Sequence, residues 1–201
     1  MTIYKECREL KVIFIKWYNS AMLKTDTWKL LERKKVYGSK FVNLYKDRVE
    51  LPNGSIIDDY IVVEKPNIVM VVATDNKNNV IILHEYKYGA GEILLTLPAG
   101  HKKENEQSIN TAKRELLEET GFVGDDFEEL SQIYDYPTKD IHKVYIVRAK
   151  NVLRKEKIRH EETEIINYEL VSIDELKKQI ENKKWKTSSA LAAIALSGIL
   201  F

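Results

Sequence analysis

Residues 97–122 of this 201-residue chain read LPAGHKKENEQSINTAKRELLEETGF. Apolar residues recur at helical spacing in the second half of this stretch, at Ile109, Ala112, Leu116 and Leu117. Their spacing predicts a helix over residues 107–120, and Gly121 stands where a left-handed helix end favours glycine. Pro98 and Gly100 predict that a strand ends in a glycine turn just before the helix. The stretch therefore predicts a strand, a glycine loop and a helix.

Three carboxylates share one face of the predicted helix. Glu115, Glu118 and Glu119 are separated by three and four residues, which brings their side chains together. Like charges at this spacing destabilise a helix by about 0.2–0.5 kcal/mol per pair. Either the face is simply solvated, or its charge is balanced by a hard divalent cation with oxygen ligands. The turn at Gly100 favours the cation, because backbone there can approach a ligand and offer a carbonyl.

The segment also contains a candidate ion pair. Arg114 and Glu106 could pair, which would tie the loop to the helix and hold the carboxylates in place. With these residues the segment resembles the Nudix box and matches its defined positions at Gly100, Glu106, Arg114, Glu115, Leu116, Glu118, Glu119, Gly121 and Phe122. The resemblance implies a magnesium-dependent hydrolase of diphosphate bonds, with Mn²⁺ as a possible substitute. It also implies an α/β (α+β) fold, an α/β/α sandwich with a mixed sheet.

The resemblance assigns roles to individual side chains. It makes Glu115 and Glu119 direct metal ligands and Glu118 a ligand or a neighbour of one, and it makes the carbonyl of Ala99 a further candidate. Arg114, Glu118 and Glu119 are then the catalytic residues of the box.

A carboxylate from a later loop is a usual donor of metal ligation or base function in this family. The acidic cluster near residue 162 supplies two candidates, Glu162 and Glu164. The alternative is that this cluster is an exposed acidic loop.

Strand and helix patterns flank the box on both sides. Short strands are predicted near Val36 and over residues 41–44 and 56–63, with a turn at Pro52-Asn53-Gly54. Further strands are predicted over residues 68–73, 80–88, 94–97, 127–134, 144–149 and 165–171, and helices from Ser172 to about Ile180 and from about Ser188. We interpret residues 1–22 as an extension of unclear role, 23–64 as a small antiparallel β unit and 65–201 as the hydrolase domain.

Over roughly residues 28–195 the chain resembles the ADP-ribose pyrophosphatase branch of the family. The features are the opening Trp28-Lys29-Leu30-Leu31-Glu32, the strand His84-Glu85-Tyr86-Lys87-Tyr88 in place of a Gln-x-Arg strand, Pro137 sixteen residues after Gly121, and Lys186-Thr187 before an alanine-rich helix. Two positions depart from the branch. Thr96 replaces a glutamate, and Lys87 replaces a substrate-contacting arginine, which keeps the charge but loses the bidentate fork.

Four residues outside the box are candidates for substrate binding. Trp28 and Tyr60 could stack on a purine, or they could be ordinary core or dimer-interface aromatics. Glu85 and Lys87 share one face of a strand, where they point either at substrate or at each other.

The resemblance implies hydrolysis of ADP-ribose to AMP and ribose 5-phosphate. The alternatives are a GDP-sugar, a dinucleotide such as NADH or a diadenosine polyphosphate, and a Nudix-fold sensor that binds a nucleotide without turnover. A homodimer is expected from the N-terminal strand unit and the apolar tail.

Charge and composition limit the class of protein. Thirty-two Lys and Arg against 31 Asp and Glu give a net charge of +1, which does not indicate nucleic-acid or membrane binding. A single cysteine, Cys7, excludes an internal disulfide and suits the cytoplasm. The apolar run 12–15 is too short for a signal peptide, and the tail 190–201 is shorter than the ~20 residues of a spanning helix. We therefore expect the tail to pack on the core or on a partner subunit.

The chain has four histidines, His84, His101, His142 and His160. They show no metal-ligand spacing, and we assign none of them a role.

Overall fold

The structure, a computed structural model, describes residues 27–155 and 166–201. The strands within this part of the chain are β1 (Lys29–Gly38), β2 (Asn43–Glu50), β3 (Ile56–Glu64), β4 (Ile68–Asp75), β5 (Val80–Lys87), β6 (Glu92–Thr96), β7 (Ala99–His101), β8 (Phe122–Val123), β9 (Asp126–Ile133), β10 (Val144–Arg154) and β11 (Ile166–Val171). The helices are α1 (Ser108–Thr120), α2 (Ile173–Glu181) and α3 (Ser188–Leu196). The chain forms two compact units. One contains the described residues up to Lys34 together with Lys46–Tyr60, and the other contains Lys35–Tyr45 and Ile61–Phe201.

The N-terminal strands form a three-stranded sheet in the order β1-β2-β3. The predicted strand at 41–44 was placed wrongly, since β2 begins at Asn43 and continues to Glu50. Charged residues extend it, and two of them, Asp47 and Arg48, have partners on neighbouring strands. Arg33 donates two hydrogen bonds to Asp47, at 2.8 and 2.7 Å, and Arg48 donates one to Asp58 at 2.7 Å. The turn predicted at residues 52–54 lies between β2 and β3.

The larger sheet is mixed, as predicted. Its central order is β11-β5-β4-β10-β8, with β6 beside β5, β7 beside β4 and β9 beside β10. Strands β4 and β10 pair in parallel, whereas β5 pairs with β11 and β6 in antiparallel fashion. The short strands β7 and β8 were not predicted, because elements of three and two residues show no periodicity that could reveal them.

Helices cover both faces of this sheet. Alternate residues of β4 point to opposite sides, so Val69, Val71 and Ala73 share a buried cluster with α1 residues Ala112 and Leu116. The cluster on the other face joins Met70 and Val72 of β4 to the residues of α2 and α3, namely Leu176, Ala190, Ala193 and Ile194. This arrangement confirms the predicted α/β/α sandwich.

The helix ends follow their predicted chemistry. Gly121 adopts φ 75° and ψ 9°, and its N–H donates to the Leu117 carbonyl at 2.9 Å. The hydroxyl of Ser172 accepts a hydrogen bond from the Glu175 N–H at 3.2 Å. Helix α3 fully buries Ala190, Ala193 and Ile194, so this helix of the apolar tail packs on the core. None of the helices in the described ranges has the length and hydropathy needed to cross a membrane.

Candidate active site

The loop before α1 lies directly against a carboxylate of the helix. Strand β7 pairs with the start of β4, which holds Ala99 and Gly100 in extended backbone beside α1. A Cβ built on Gly100 would lie 2.0 Å from both Cδ and Oε1 of Glu115. Because no side chain tolerates that separation, glycine is required for the Glu115 carboxylate to occupy this position.

Two of the three predicted carboxylates are buried. Glu115 is 9% exposed and Glu119 is 6% exposed. The Glu119 carboxylate accepts a hydrogen bond from the backbone N–H of Ala99 at 3.0 Å. Removing carboxylates from water is costly unless hydrogen bonds or opposite charges replace the solvent. The site is therefore built at an energetic cost that a purely structural helix face would not carry.

Arg114 links the helix to the loop. Its Nη1 donates to Glu115 Oε1 at 2.6 Å and to Glu118 Oε2 at 3.1 Å, and its Nη2 donates to the His101 carbonyl at 3.1 Å. Nη2 also lies 3.6 Å from Glu106 Oε2, which confirms the predicted pair. Burial lowers the pKa of Arg114, but the carboxylates of Glu115 and Glu118 raise it by more than burial lowers it. The net pKa lies above the ordinary value, so the guanidinium remains charged.

Glu106 is ionised in this arrangement. Burial raises the pKa of its carboxyl group, but hydrogen bonds from Thr111 and from the Lys103 N–H, together with the charge of Arg114, outweigh that effect. The net result is a pKa below the ordinary value. Glu106 thus contributes a permanent negative charge beside Arg114.

The site holds more negative than positive charge. Glu106, Glu115 and Glu118 all lie within ion-pair distance of one guanidinium, that of Arg114. Carboxylate oxygens are the donors that a hard divalent cation prefers, so Glu115, Glu118 and Glu119 suit such a cation chemically. No three acidic, histidine or cysteine side chains in the described ranges are already gathered in metal-binding geometry. Instead, Glu115 and Glu118 accept hydrogen bonds from Arg114, and Glu119 accepts one from the Ala99 N–H.

The predicted substrate residues fall into two pairs. The Trp28 and Tyr60 rings meet edge to face, with centroids 5.4 Å apart and planes at 72°, and Trp28 is 48% exposed. The Lys87 ammonium contacts the Glu85 carboxylate at 2.5 Å. In this structure Glu85 and Lys87 therefore point at each other. Glu162 and Glu164 lie outside the described residues.

The features of the ADP-ribose branch occupy defined places. Pro137 begins a tight turn that the Asp140 N–H closes by donating to the Tyr136 carbonyl at 2.8 Å. Thr96 is buried at the end of β6, opposite Leu83. Lys186 contacts Glu92 at 2.6 Å, and the Thr187 hydroxyl donates to the Leu95 carbonyl at 3.3 Å. The residues before α3 thus anchor that helix to β6.

One buried polar residue was missed by the sequence analysis. His142 lies between the carboxylates of Asp135 and Asp140, at 3.8 and 3.6 Å. Burial and the nearby charge of Lys65 lower its pKa, and the two aspartates offset this only in part. The two aspartates just before it were the available sequence signal, but Lys65 is too distant in the chain for any spacing rule to include it.

Two family models match this chain. The family model described as NUDIX domain matches residues 64–191, more than half of the chain. The chain belongs to the Nudix family. A second model, described as nucleoside diphosphate sugar hydrolase N-terminal domain, matches residues 28–63. The protein is a Nudix pyrophosphohydrolase, and enzymes of this family generally use divalent metal ions.

Relatives cover most of this Nudix enzyme. It is 27% identical over 177 residues to the ADP-ribose pyrophosphatase of Bacillus subtilis (strain 168), which covers 86% of this chain and 95% of the relative. It is 28% identical over 167 residues to the methanol dehydrogenase activator of Bacillus methanolicus, and the alignment covers 83% of this chain and 90% of the relative. A solved structure titled "Crystal structure of ADP compounds hydrolase" superposes with a TM-score of 0.75 at 21% identity, covering 87% of this chain and 94% of the other. That superposition shows the same fold.

Proposed function

We propose that this Nudix enzyme hydrolyses the diphosphate bond of ADP-ribose to give AMP and ribose 5-phosphate, with Mg²⁺ as its cation and Mn²⁺ as a possible substitute. The observation that carries the proposal is the pair of buried carboxylates, Glu115 and Glu119, packed against the Ala99–Gly100 backbone. The substrate assignment is supported by a relative named ADP-ribose pyrophosphatase that aligns over most of the chain.

The cation would be held by this chain's own oxygen atoms. We assign Glu115, Glu118 and Glu119 as its ligands, with the Ala99 carbonyl as a fourth donor. When bound, the cation supplies charge neutralisation of the diphosphate and a lowered pKa for an attacking water. Arg114 orients Glu115 and Glu118 through the two hydrogen bonds from Nη1. Its Nε atom is buried and lacks a hydrogen-bond acceptor within the described part of the chain.

Proton removal from water requires a basic group near the reacting phosphorus. Glu118 is more exposed than Glu115, which suits a group that exchanges protons with solvent. Glu162 and Glu164 are the two other candidates. Single Glu→Gln substitutions at these three positions would identify the base, because only its loss should remove the acidic limb of the pH profile for kcat.

The substrate's remaining groups need partners outside the box. We assign Trp28 and Tyr60 to stacking on the adenine ring, because edge-to-face aromatics leave ring faces open for a base. Glu85 and Lys87 are assigned to polar contacts with the substrate, which would replace their mutual ion pair. The two family models match residues 28–63 and 64–191. These matches support a division into an N-terminal β unit, residues 23–64, and a hydrolase domain, residues 65–201.

We also propose a cytoplasmic homodimer. All ten residues of β1 are exposed, among them Leu30, Leu31, Val36 and Tyr37. A long exposed strand with apolar side chains favours pairing with another chain. Light scattering at micromolar concentration should therefore give twice the chain mass, and a monomeric mass across that range would contradict the dimer.

The first experiment is a phosphate-release screen with Mg²⁺. ADP-ribose, GDP-mannose, NADH, diadenosine polyphosphates and nucleoside triphosphates would each be supplied, with phosphatase added to reveal monophosphate products. Glu119→Gln protein provides the control for contaminating hydrolases. ADP-ribose should exceed every other substrate in kcat/KM by about tenfold or more.

A different leading substrate would support the second candidate, a GDP-sugar or dinucleotide pyrophosphatase. The departures at Thr96 and Lys87 favour this alternative, since lysine offers a phosphate no bidentate fork. If every substrate stayed intact while ADP-ribose still bound, a nucleotide sensor would replace the catalytic proposal.

A further inference from the structure

The segment between β9 and β10, residues 134–143, contains a buried histidine that the proposed chemistry does not use. The His142 side chain is 2% exposed. Its Nε2 lies 3.8 Å from Asp135 Oδ2, and its Nδ1 lies 3.6 Å from Asp140 Oδ2. These separations are longer than hydrogen bonds, and Nδ1 has no hydrogen-bond partner among residues 27–155 and 166–201. A buried polar atom in this state requires an explanation.

The same segment is bound tightly to the end of β3 and to the residue that follows it. The Val63 N–H donates to the Lys139 carbonyl at 2.8 Å, and the Ile141 N–H donates to the Val63 carbonyl at 3.0 Å. The Lys65 ammonium forms an ion pair with Asp140, whose side chain is 10% exposed. Asp140 is therefore a buried carboxylate with two cationic candidates, the Lys65 ammonium and a protonated His142.

A second set of bonds connects this segment to the catalytic loop. The Lys143 N–H donates to the Asn67 side-chain carbonyl at 2.8 Å, and the Lys102 N–H donates to the Asn67 backbone carbonyl at 2.8 Å. Lys102 follows Gly100 by two residues, and the start of β4 pairs with β7. The turn that begins at Pro137 and the carboxylate site thus lie at the same end of the sheet.

We propose that the Lys65–Asp140 ion pair holds the turn at residues 135–141 at the catalytic end of the sheet while His142 is neutral, and that protonation of His142 releases this turn. A protonated imidazole would compete with Lys65 for the Asp140 carboxylate and weaken the ion pair that fixes the turn to β3. This inference rests on the proposed function only in requiring that substrate binds at this end of the sheet.

Three charged groups face His142, and their effects have opposite signs. Burial and the ammonium of Lys65 lower the pKa of His142 below its ordinary 6.5, while Asp140 and Asp135 raise it. The net effect is a lower pKa of His142, so the imidazole is neutral in the folded protein at neutral pH. Because the folded-state pKa is depressed, the contribution of neutral His142 to the free energy of unfolding is fully present above about pH 6.5. That contribution is lost as pH falls through the folded-state pKa.

The test begins with the full chain and NMR titration of the histidine rings. Lys65→Met should raise the pKa of His142 and Asp135→Asn should lower it, each by about half a unit or more. Hydrogen exchange at residues 136–141 should quicken below the titration midpoint in the parent protein and in Asp135→Asn, and it should be fast at every pH in Lys65→Met, which lacks the ion pair.

Kinetics then separates positioning from a merely structural role. With ADP-ribose, kcat/KM of the parent enzyme should fall in acid at the NMR midpoint, Asp135→Asn should move that limb to lower pH, and Lys65→Met should raise KM at every pH. His142→Gln, which stays uncharged, should remove the component of the limb at that midpoint while changing kcat and KM at neutral pH less than twofold.

The inference is overturned if the two partner variants fail to shift the His142 pKa in opposite directions, or if exchange at residues 136–141 ignores its titration. Survival in His142→Gln of the component at the His142 midpoint would overturn it as well. If ADP-ribose is not hydrolysed at all, the proposed function fails, but the NMR and exchange measurements still decide the role of His142. These measurements use Lys65→Met and Asp135→Asn, so they remain decisive even if His142→Gln does not fold.

Discussion

The N-terminal sheet and helix α1 both bury carboxylates, but the negative charge is balanced differently in the two places. Asp47, 2% exposed, receives two hydrogen bonds from one guanidinium, that of Arg33. Around Arg114, by contrast, three carboxylates contact a single guanidinium, and the buried Glu119 accepts a hydrogen bond from a backbone N–H. A balanced pair contributes to the fold by itself. An unbalanced cluster costs stability, and that cost is understandable where a cation and a polyanionic substrate complete the charge.

The largest effect should come from removing one negative charge of the unbalanced cluster. Glu119→Gln should lower kcat at least ~100-fold while circular dichroism and melting temperature remain near normal, because a metal ligand is lost without a cavity. Glu104→Gln makes the same change in the exposed part of the loop and should retain full activity. Near-normal activity of Glu119→Gln would show that the metal site has been misplaced.

The next effect tests the close approach of backbone and carboxylate. Gly100→Ala inserts a methyl group 2.0 Å from the Glu115 carboxylate, so Glu115 must move. We expect kcat to fall about 30-fold, since small displacements of catalytic groups are costly. Gly89→Ala is the matched control, because a Cβ there meets no atom within 4 Å. Equal activities of the two alanine variants would mean that the position of Glu115 is unimportant.

The balanced pair should respond in stability. Arg33→Ala leaves Asp47 buried without its guanidinium, and we expect a loss of about 1–3 kcal/mol in the free energy of unfolding. Arg48→Ala removes the exposed pair with Asp58 and should cost no more than about 1 kcal/mol. Urea denaturation measures both. If the two losses were equal, burial of Asp47 would not distinguish the pairs.

The smallest effect concerns the N-terminal aromatics. Trp28→Ala should raise KM for ADP-ribose about fivefold, the loss of roughly 1 kcal/mol of base stacking, with kcat changed less than twofold. Trp28→Phe should restore most of the affinity because it keeps an aromatic face. An unchanged KM in the alanine variant would assign Trp28 to packing or to a subunit interface.

Much of the catalytic loop and helix was predictable because its determinants are local. The helix period, the left-handed end at Gly121, the Ser172 cap and the Arg114–Glu106 pair each depend on residues close together in the chain. The mixed sheet followed from the order of strands and helices. A physical rule that acts over a few residues can be evaluated from sequence without knowing what lies across the fold.

The tertiary structure alone decided the features whose partners are remote. The length of β2 depends on Arg33 and Asp58 lying across from charged residues, and β7 exists only because β4 is beside it. The choice between Glu85 pointing at substrate or at Lys87 also required side-chain positions. His142 became significant only when Lys65, 77 positions earlier in the chain, was found beside Asp140. By itself the sequence determined the helix face and the caps, whereas burial and charge balance depend on which distant groups share one small volume.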